Sequence, residues 1–408
     1  MKKLHYLIIA TLFIVTFSFI LDIGFFKRVF PIIGITNIWY IQWTFLFFMC
    51  YVFACLRIFC FNWTYGLLAL VCTYSAFFVG SQHPRCMLVL TQFIFALLGV
   101  EMVSKISYQN LNKILKSIIF LVLAQGLWVI VQTMNLDPFF NSTHDKMIDD
   151  TVGFSGSHNQ IGLFFAMTMP LIISSFIYIL PLSLFGLFKS TTAFAVAGAV
   201  VSCFFYIMFS CKKFIVSFLS IVILFSTLYF SFSDNIDKML FKERFSLWGF
   251  LINSVNDGNI LLNYNGQHVL IETHWAKGYG FGNFMRVAPL AQKEGFMDKI
   301  YEHVGFTAQH VYEHAHNDYI ELFFETGYPG AISLMILILY SVYKFIRAKK
   351  TKILIIATSC IVAQMVTAMG IYTVQTAISG MLLIIFLGIF EKGVNNGKTN
   401  RDTVLASG

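Results

Sequence analysis

Residues 314 to 330 bring two histidines, an amide and three carboxylates together in a chain that carries few charges. The stretch reads HAHNDYIELFFETGYPG and lies where a polar segment meets an apolar run. An imidazole titrates near neutral pH, so His316 at this junction could take a proton from a hydroxyl group. The pattern therefore indicates acid-base chemistry at His316, with Asn317 beside it, and a hydrogen-bonded interfacial histidine is the plainer alternative.

Metal binding is another use of the same histidines. His310, Glu313, His314 and His316 lie close together, and the segment from His314 imitates the H-x-H-x-D opening of the metallo-β-lactamase motif. That motif ends in histidine, whereas this chain has Tyr319, and it belongs to a soluble sandwich of alternating strands that this sequence does not predict. We therefore expect no metal site.

The other polar residues of this stretch have a structural explanation. Asp318 and Glu321 have the spacing of a capping box, which predicts a helix start with Asp318 as the cap. Gly327 and Pro329 predict that this helix stops and that a spanning helix begins at Pro329. The sequence assigns no role to Glu325.

The composition is that of a multi-pass membrane protein. Of 408 residues, 58% are hydrophobic and only 12% are charged. Since each crossing needs about 20 apolar residues, we predict an all-α polytopic integral membrane protein with about 12 transmembrane helices. Apolar runs lie near residues 5–25, 38–58, 62–80, 87–103, 113–133, 159–178, 179–188, 190–210, 214–232, 329–346, 353–373 and 375–391. The first run is interpreted as a span and not as a cleaved signal peptide.

Lysine and arginine in the short connections predict the orientation. Most of them fall on one side, which is therefore assigned to the cytoplasm together with both termini. The net charge of +8 has this explanation, and nucleic acid binding is not predicted. The predicted organisation has four parts, in chain order: an N-terminal transmembrane bundle (1–232), a large periplasmic loop between the ninth and tenth spans (233–328), C-terminal transmembrane helices (329–391) and a cytoplasmic tail (392–408).

Several motifs resemble one family. His316-Asn317, followed at fixed spacing by Gly327 and Gly330, resembles the signature of bacterial O-antigen ligases. Three further segments resemble the same family, namely the glycine-rich entry to a span around Asn159, the pair Arg244 and Trp248, and the stretch 278–284. The chain is identified as a member of the O-antigen ligase and polymerase superfamily. It departs from the family at Lys189-Ser190, where a serine-arginine pair is usual.

The resemblance implies an O-antigen ligase-like glycosyltransferase that needs no metal or other cofactor. Its donor would be a glycan linked to undecaprenyl pyrophosphate, and its acceptor a sugar hydroxyl of lipid A-core. It implies a multi-pass protein of the bacterial inner membrane whose active site faces the periplasm. His316 would be the general base, and Arg244 and Lys189 would stabilise the pyrophosphate. The residues implied in substrate binding are Asn317, Arg286, Asn159, Gly327 and Gly330.

Two alternatives stay open at this stage. A polymerase of O-antigen or capsule would use the same donor and join one lipid-linked repeat unit to another. A transporter of the lipid-linked sugar would use ionisable groups within the membrane, and Glu101 is the main residue of that kind.

Overall fold

The structure, a computed structural model, describes residues 4–21, 63–79, 84–134, 136, 158–190, 192–210, 238–264, 267–284, 287–288, 314–371 and 377–405. These residues are mainly helical. The helices are α1 (Leu4–Leu21), α2 (Trp63–Tyr74), α3 (Pro84–Ser104), α4 (Tyr108–Thr133), α5 (His158–Ser175), α6 (Leu180–Lys189), α7 (Ala193–Ser210), α8 (Lys238–Asp257), α9 (Asp318–Arg347), α10 (Lys352–Thr367) and α11 (Ala377–Leu405). A π-helical turn (Ser75–Val79) extends α2, and a 3-10 turn (Ile177–Ile179) precedes α6.

The apolar helices coincide with most of the predicted spans. Among the described residues, five helices are long and apolar enough to cross a membrane, and shorter apolar helices occupy five of the other predicted runs. The protein is therefore a multi-pass membrane protein. The predicted spans 38–58 and 214–232 lie outside the described residues, so the number of 12 spans stays a prediction.

In the described part of the chain, the all-α prediction is confirmed except for one β-hairpin. Strands β1 (Asn259–Tyr264) and β2 (Gln267–Glu272) pair antiparallel, with Asn259 opposite Glu272 and Tyr264 opposite Gln267. This hairpin follows α8 directly, inside the segment that was predicted to be the large loop.

The chain divides into two compact units that interleave along the sequence. The first comprises Met1–Phe59, Phe95–Ile236 and Arg347–Gly408, and the second comprises Cys60–Ile94 and Asp237–Ile346. The predicted loop therefore belongs to one unit with α2, the beginning of α3 and most of α9. The four parts predicted from the sequence follow one another along the chain, whereas each of these two units combines separate segments. The four-part division stays a prediction about membrane topology.

In the first unit, basic residues predicted to be cytoplasmic bind the ends of neighbouring helices. The Lys352 ammonium group donates to the carbonyl of Ser174 at 2.8 Å, and that of Lys392 lies 3.4 Å from the carbonyl oxygen of Ser104. Lys105 pairs with Glu101 at 3.0 Å, one turn apart at the end of α3. Glu101 thus has a partner at a helix end, which is an ordinary place for an ion pair and weakens its value as evidence for transport.

Small residues let the helices of this unit approach closely. A side chain at Gly198 would meet the carbonyl oxygen of Ala363 at 2.8 Å, and one at Gly388 would meet that of Val100 at 2.7 Å. Such contacts are typical of membrane helices, whose association depends on close packing because lipid tails are as apolar as the side chains.

The second unit has a core that includes the residue before His316. Leu247, Leu251 and Val255 lie on one face of α8 at four-residue spacing. They pack with buried residues of the following segments, namely Tyr279, Phe284, Val287, Ala288, Ala315 and Phe324. Ala315 is fully buried, so the backbone at His316 is anchored in the core of this unit.

Helix α9 is kinked where the sequence predicts an end. Gly327 has non-helical dihedrals (φ 67°, ψ −163°), and helical structure resumes through Pro329. After the kink, exposed apolar side chains recur every three to four residues, as in a helix with one face towards lipid. They are Ile332, Met335, Leu339, Val342, Tyr343 and Ile346.

Candidate active site

Asn317 caps α9. Its side-chain oxygen accepts hydrogen bonds from the backbone N–H groups of Tyr319 at 3.0 Å and Ile320 at 3.1 Å. The predicted capping box is therefore wrong by one residue, because Asn317 and not Asp318 is the cap, while Asp318 lies in the first turn. Asn317 is buried, and its predicted contact with substrate stays a prediction.

Glu321 connects α9 to the residues just before His316. One carboxylate oxygen accepts from the backbone N–H of Ala315 at 3.0 Å, and the other lies 3.2 Å from Nδ1 of His314. The side chain is buried near the N-terminus of α9, where the unsatisfied N–H groups favour a negative charge. Both oxygens thus bind the 314–315 segment.

Trp248 binds the other backbone polar atom of Ala315. Its indole N–H donates to the carbonyl oxygen of Ala315 at 2.7 Å, and both residues are buried. Arg244 precedes Trp248 by four residues and therefore lies one turn away on the same face of α8. The family-like pair Arg244 and Trp248 thus belongs to the helix that contacts the loop carrying His316.

His316 has a left-handed backbone conformation. Its φ is 50°, and it is the one non-glycine residue with positive φ in the part of the chain that the structure describes. Such a conformation costs on the order of 1 kcal/mol or more and is maintained only when neighbouring contacts impose it. Here the preceding residue is bound at both its N–H and its carbonyl, and the following residue caps a helix.

Two glycines of the predicted motifs lie against each other. A side chain at Gly278 would meet the backbone nitrogen of Gly327 at 2.5 Å, and one at Gly327 would meet the nitrogen of Gly278 at 3.0 Å and collide with the carbonyl oxygen of Trp275. Both residues also have positive φ. Gly327 and the glycine-rich stretch are therefore required for a close approach of two backbones. The role predicted for Gly327 in substrate binding stays untested.

Glu325 joins this contact. Its side chain accepts from the backbone N–H of Phe284 at 3.0 Å, and its carbonyl accepts from Gly280 at 2.8 Å and from the Ser75 hydroxyl at 2.8 Å. The Ser75 oxygen in turn accepts from the N–H of Phe281 at 3.0 Å. Glu325 and Ser75 thus fix the glycine-rich stretch to the kink of α9 by hydrogen bonds.

Tyr279 anchors the same stretch to α8. Its hydroxyl donates to the carbonyl oxygen of Ser254 at 2.9 Å, and its ring stacks on Phe324 with centroids 4.5 Å apart. Burial, with a smaller contribution from the negative charge of Asp257, raises the pKa of Tyr279 above its ordinary value. The hydroxyl therefore stays neutral and can donate at physiological pH.

The remaining predicted site residues lie elsewhere. Lys189 is exposed at the end of α6, and Asn159, whose side-chain oxygen accepts from Thr192 at 3.4 Å, lies in the first turn of α5. Both belong to the first unit, whereas His316, Asn317 and Arg244 belong to the second. Gly330 packs against the Thr326 side chain one turn earlier in α9. Arg286 lies outside the described residues.

Within the described part of the chain, no three histidine, cysteine, aspartate or glutamate side chains converge as metal ligands. His314 instead contacts Glu321. Of the four residues considered for a metal, His310 and Glu313 lie outside the described residues.

Sequence reasoning did not find the contacts that hold His316. The roles of Glu321, Trp248 and Ser75 depend on partners as far as 250 residues away, as for the Ser75 hydroxyl and the carbonyl of Glu325. The one available signal was the resemblance of Trp248 to a family residue, and this did not reveal its partner.

The helices and this site define a multi-pass membrane protein with a histidine held at the N-terminus of an apolar helix. Residues 175–335 match the family model described as O-antigen ligase, and this match supports membership of the O-antigen ligase superfamily. The matched region contains Lys189, Arg244, Arg286 and His316, whereas Asn159 precedes it. No curated protein matches the chain significantly.

Proposed function

We propose that this protein transfers a glycan en bloc from undecaprenyl pyrophosphate to a sugar hydroxyl of lipid A-core, on the periplasmic face of the bacterial inner membrane. The family match supports transfer of a lipid-linked glycan, since it covers the segment with the candidate catalytic residues. The observation that carries the proposal is the backbone of His316, which is left-handed and fixed by contacts on both sides. Backbone strain at a polar residue, as at His316, is typical of functional sites.

In the proposed reaction, the acceptor hydroxyl oxygen forms a bond to the anomeric carbon of the glycan. The bond from that carbon to the pyrophosphate oxygen breaks, and undecaprenyl pyrophosphate leaves. His316 takes the proton of the hydroxyl as the new bond forms, and inversion at the anomeric carbon is expected from a single displacement.

The leaving group gains negative charge, so fixed cations near it accelerate the reaction. We assign this role to Arg244, whose guanidinium group can bind phosphate oxygens in a bidentate manner. Lys189 and Arg286 would contribute further positive charge. Asn317, Asn159, Gly327 and Gly330 are proposed to shape the substrate site, and no metal or organic cofactor is part of the proposal.

The test is the lipopolysaccharide pattern of the source bacterium after deletion of this gene. Cores without glycan, together with polymer retained on its lipid carrier, are expected for a ligase. Cores that carry a single repeat unit would instead identify a polymerase. An unchanged pattern would contradict both acceptors.

Complementation then tests His316. His316→Ala is expected to abolish transfer although the protein is still inserted, because the hydroxyl loses its proton acceptor. His274→Ala is the matched control, since His274 is an exposed histidine of the same unit whose ring accepts only a local hydrogen bond from Ala276 among the described contacts. A normal pattern with His316→Ala would remove His316 from catalysis.

A further inference from the structure

Ala315, the residue before His316, is bound at both of its backbone polar atoms by buried side chains. The Ala315 N–H donates to Glu321, and its carbonyl accepts from Trp248. Ala315 is fully buried, Glu321 is 2% exposed and Trp248 is 9% exposed. The peptide groups on the two sides of Ala315 therefore cannot rotate without leaving a buried polar group unsatisfied, which costs about 1–3 kcal/mol for each group.

The conformation of His316 follows from this constraint. Its φ of 50° is unfavourable for a residue with a side chain, so an unconstrained loop would return to the right-handed or extended region. Fixing the peptide on the N-terminal side limits φ of His316, while the Asn317 cap fixes the C-terminal side. The direction in which the Cα–Cβ bond of His316 leaves the backbone is therefore set by contacts of the neighbouring residues.

Glu321 binds two residues of the segment before His316. One carboxylate oxygen is used for Ala315, and the second binds His314, so the same carboxylate holds two consecutive residues before His316. Glu321 lies on α9, whose helical geometry continues towards the kink. The carboxylate thereby links the position of the loop to a rigid element, as a preorganised site requires.

We propose that Glu321 is a positioning residue, which with Trp248 and His314 holds His316 in the orientation that accepts the proton. The inference rests on the proposed function, because it concerns how His316 takes up its role there. Glu321 does not itself contact the substrate in this proposal. Its loss therefore affects the rate of the chemical step more than the affinity for the donor.

The test compares Glu321→Ala and Glu321→Gln in membranes, with a lipid-linked glycan donor and purified acceptor. Glu321→Ala is expected to lower kcat about 100-fold, as for a misplaced catalytic group, with the donor KM changed less than about 3-fold. Glu321→Gln keeps an oxygen for the Ala315 N–H and a second polar atom towards His314. It is expected to stay within about 5-fold of the unaltered protein in kcat.

Asp318→Asn is the matched control, since Asp318 is an acid in the first turn of the same helix. It is expected to leave kcat unchanged. Equal kcat values for Glu321→Ala and Asp318→Asn, with His316→Ala inactive, would overturn the role of Glu321 and leave the proposed function intact. An active His316→Ala variant would instead remove His316 from catalysis, and an absence of transfer by the unaltered protein would overturn the proposed function.

Trp248→Phe provides the second measurement in case Glu321→Ala fails to insert. This change keeps a large aromatic ring but removes the indole N–H, so only the hydrogen bond to the Ala315 carbonyl is lost. A lower kcat at unchanged donor KM would support the proposal that the hydrogen bonds to Ala315 position His316. An unchanged kcat in a fully inserted protein would contradict it.

Discussion

Arg244 lies one helical turn from the indole that binds the peptide before His316, so it is close in the fold to the loop carrying the proposed base. Arg244→Ala is expected to reduce kcat/KM for the donor at least about 10-fold, which corresponds to about 1.4 kcal/mol for one charge-assisted contact. Arg244→Lys should recover part of this loss, because it restores the charge without the bidentate geometry. The measurement is initial rate against donor concentration in membranes.

The control for this prediction is Lys277→Ala, which removes an exposed cation from the same unit. Its donor response should equal that of the unaltered protein. If Arg244→Ala also shows an unchanged donor response, the pyrophosphate is held by other cations, with Lys189 and Arg286 next to be tested.

At individual positions, the sequence was informative where a residue acts through its own type and spacing. His316 and Asn317 were proposed from a motif and their roles stay predictions, whereas a helix start was expected within one residue of its position. The cap was assigned to Asp318 because aspartate and asparagine are both good caps and only the backbone distinguishes them. Glu325 and Ser75 could not be assigned, because their partners at residues 280–284 become neighbours only through folding.

At the level of elements, the contact between Gly278 and Gly327 fixes a loop to a kinked helix. Gly327→Ala is expected to destabilise the protein by on the order of 3 kcal/mol, since it combines an unfavourable φ with a collision against the backbone of the loop. The expected result is a lower Tm of the purified protein in detergent.

Gly249→Ala is the matched control for this change. Gly249 lies inside α8, and a side chain there would meet nothing within 4 Å. Alanine at that position should be neutral or stabilise the helix by up to about 1 kcal/mol. If Gly327→Ala has the same Tm as Gly249→Ala, the two backbones can separate without cost and the interpretation of the glycines is wrong.

The elements also show which signals the sequence contained. The apolar runs predicted the positions of ten helices, because length and hydrophobicity suffice for that purpose. The hairpin was not predicted, although Asn265-Gly266 stands between its strands and is the dipeptide most typical of a tight hairpin turn. The kink at Gly327 was expected from glycine and proline, but its tight fit with Gly278 depends on a second segment.

For the whole molecule, the predicted direction of the crossings depends on the short helix α6. Helix α6 has ten residues and is about 15 Å long, roughly half the thickness of the hydrocarbon core. The orientation predicted from basic residues treats this segment as a crossing. Contacts of Lys352 with Ser174 and of Lys392 with Ser104 agree with the predicted sidedness within the first unit.

Single cysteines at exposed positions test this topology in intact cells with a membrane-impermeant thiol reagent. Gln109→Cys and Tyr178→Cys are expected to be protected, because both lie in connections predicted to be cytoplasmic, whereas His274→Cys should react. The unaltered protein gives the background from its own eight cysteines. Reaction at Tyr178→Cys with protection at Gln109→Cys would show that the crossings between these positions are misassigned.

The close contact between Gly278 and Gly327 also restricts which segments this protein can exchange with its relatives. A chimera that receives residues 273–284 from another protein brings in one surface of the contact, while residues 324–328 keep the other. A side chain at position 278 of the incoming segment would meet the backbone of Glu325 and Gly327. The two segments should therefore be transplanted together, and libraries that randomise one of them alone should return few folded proteins.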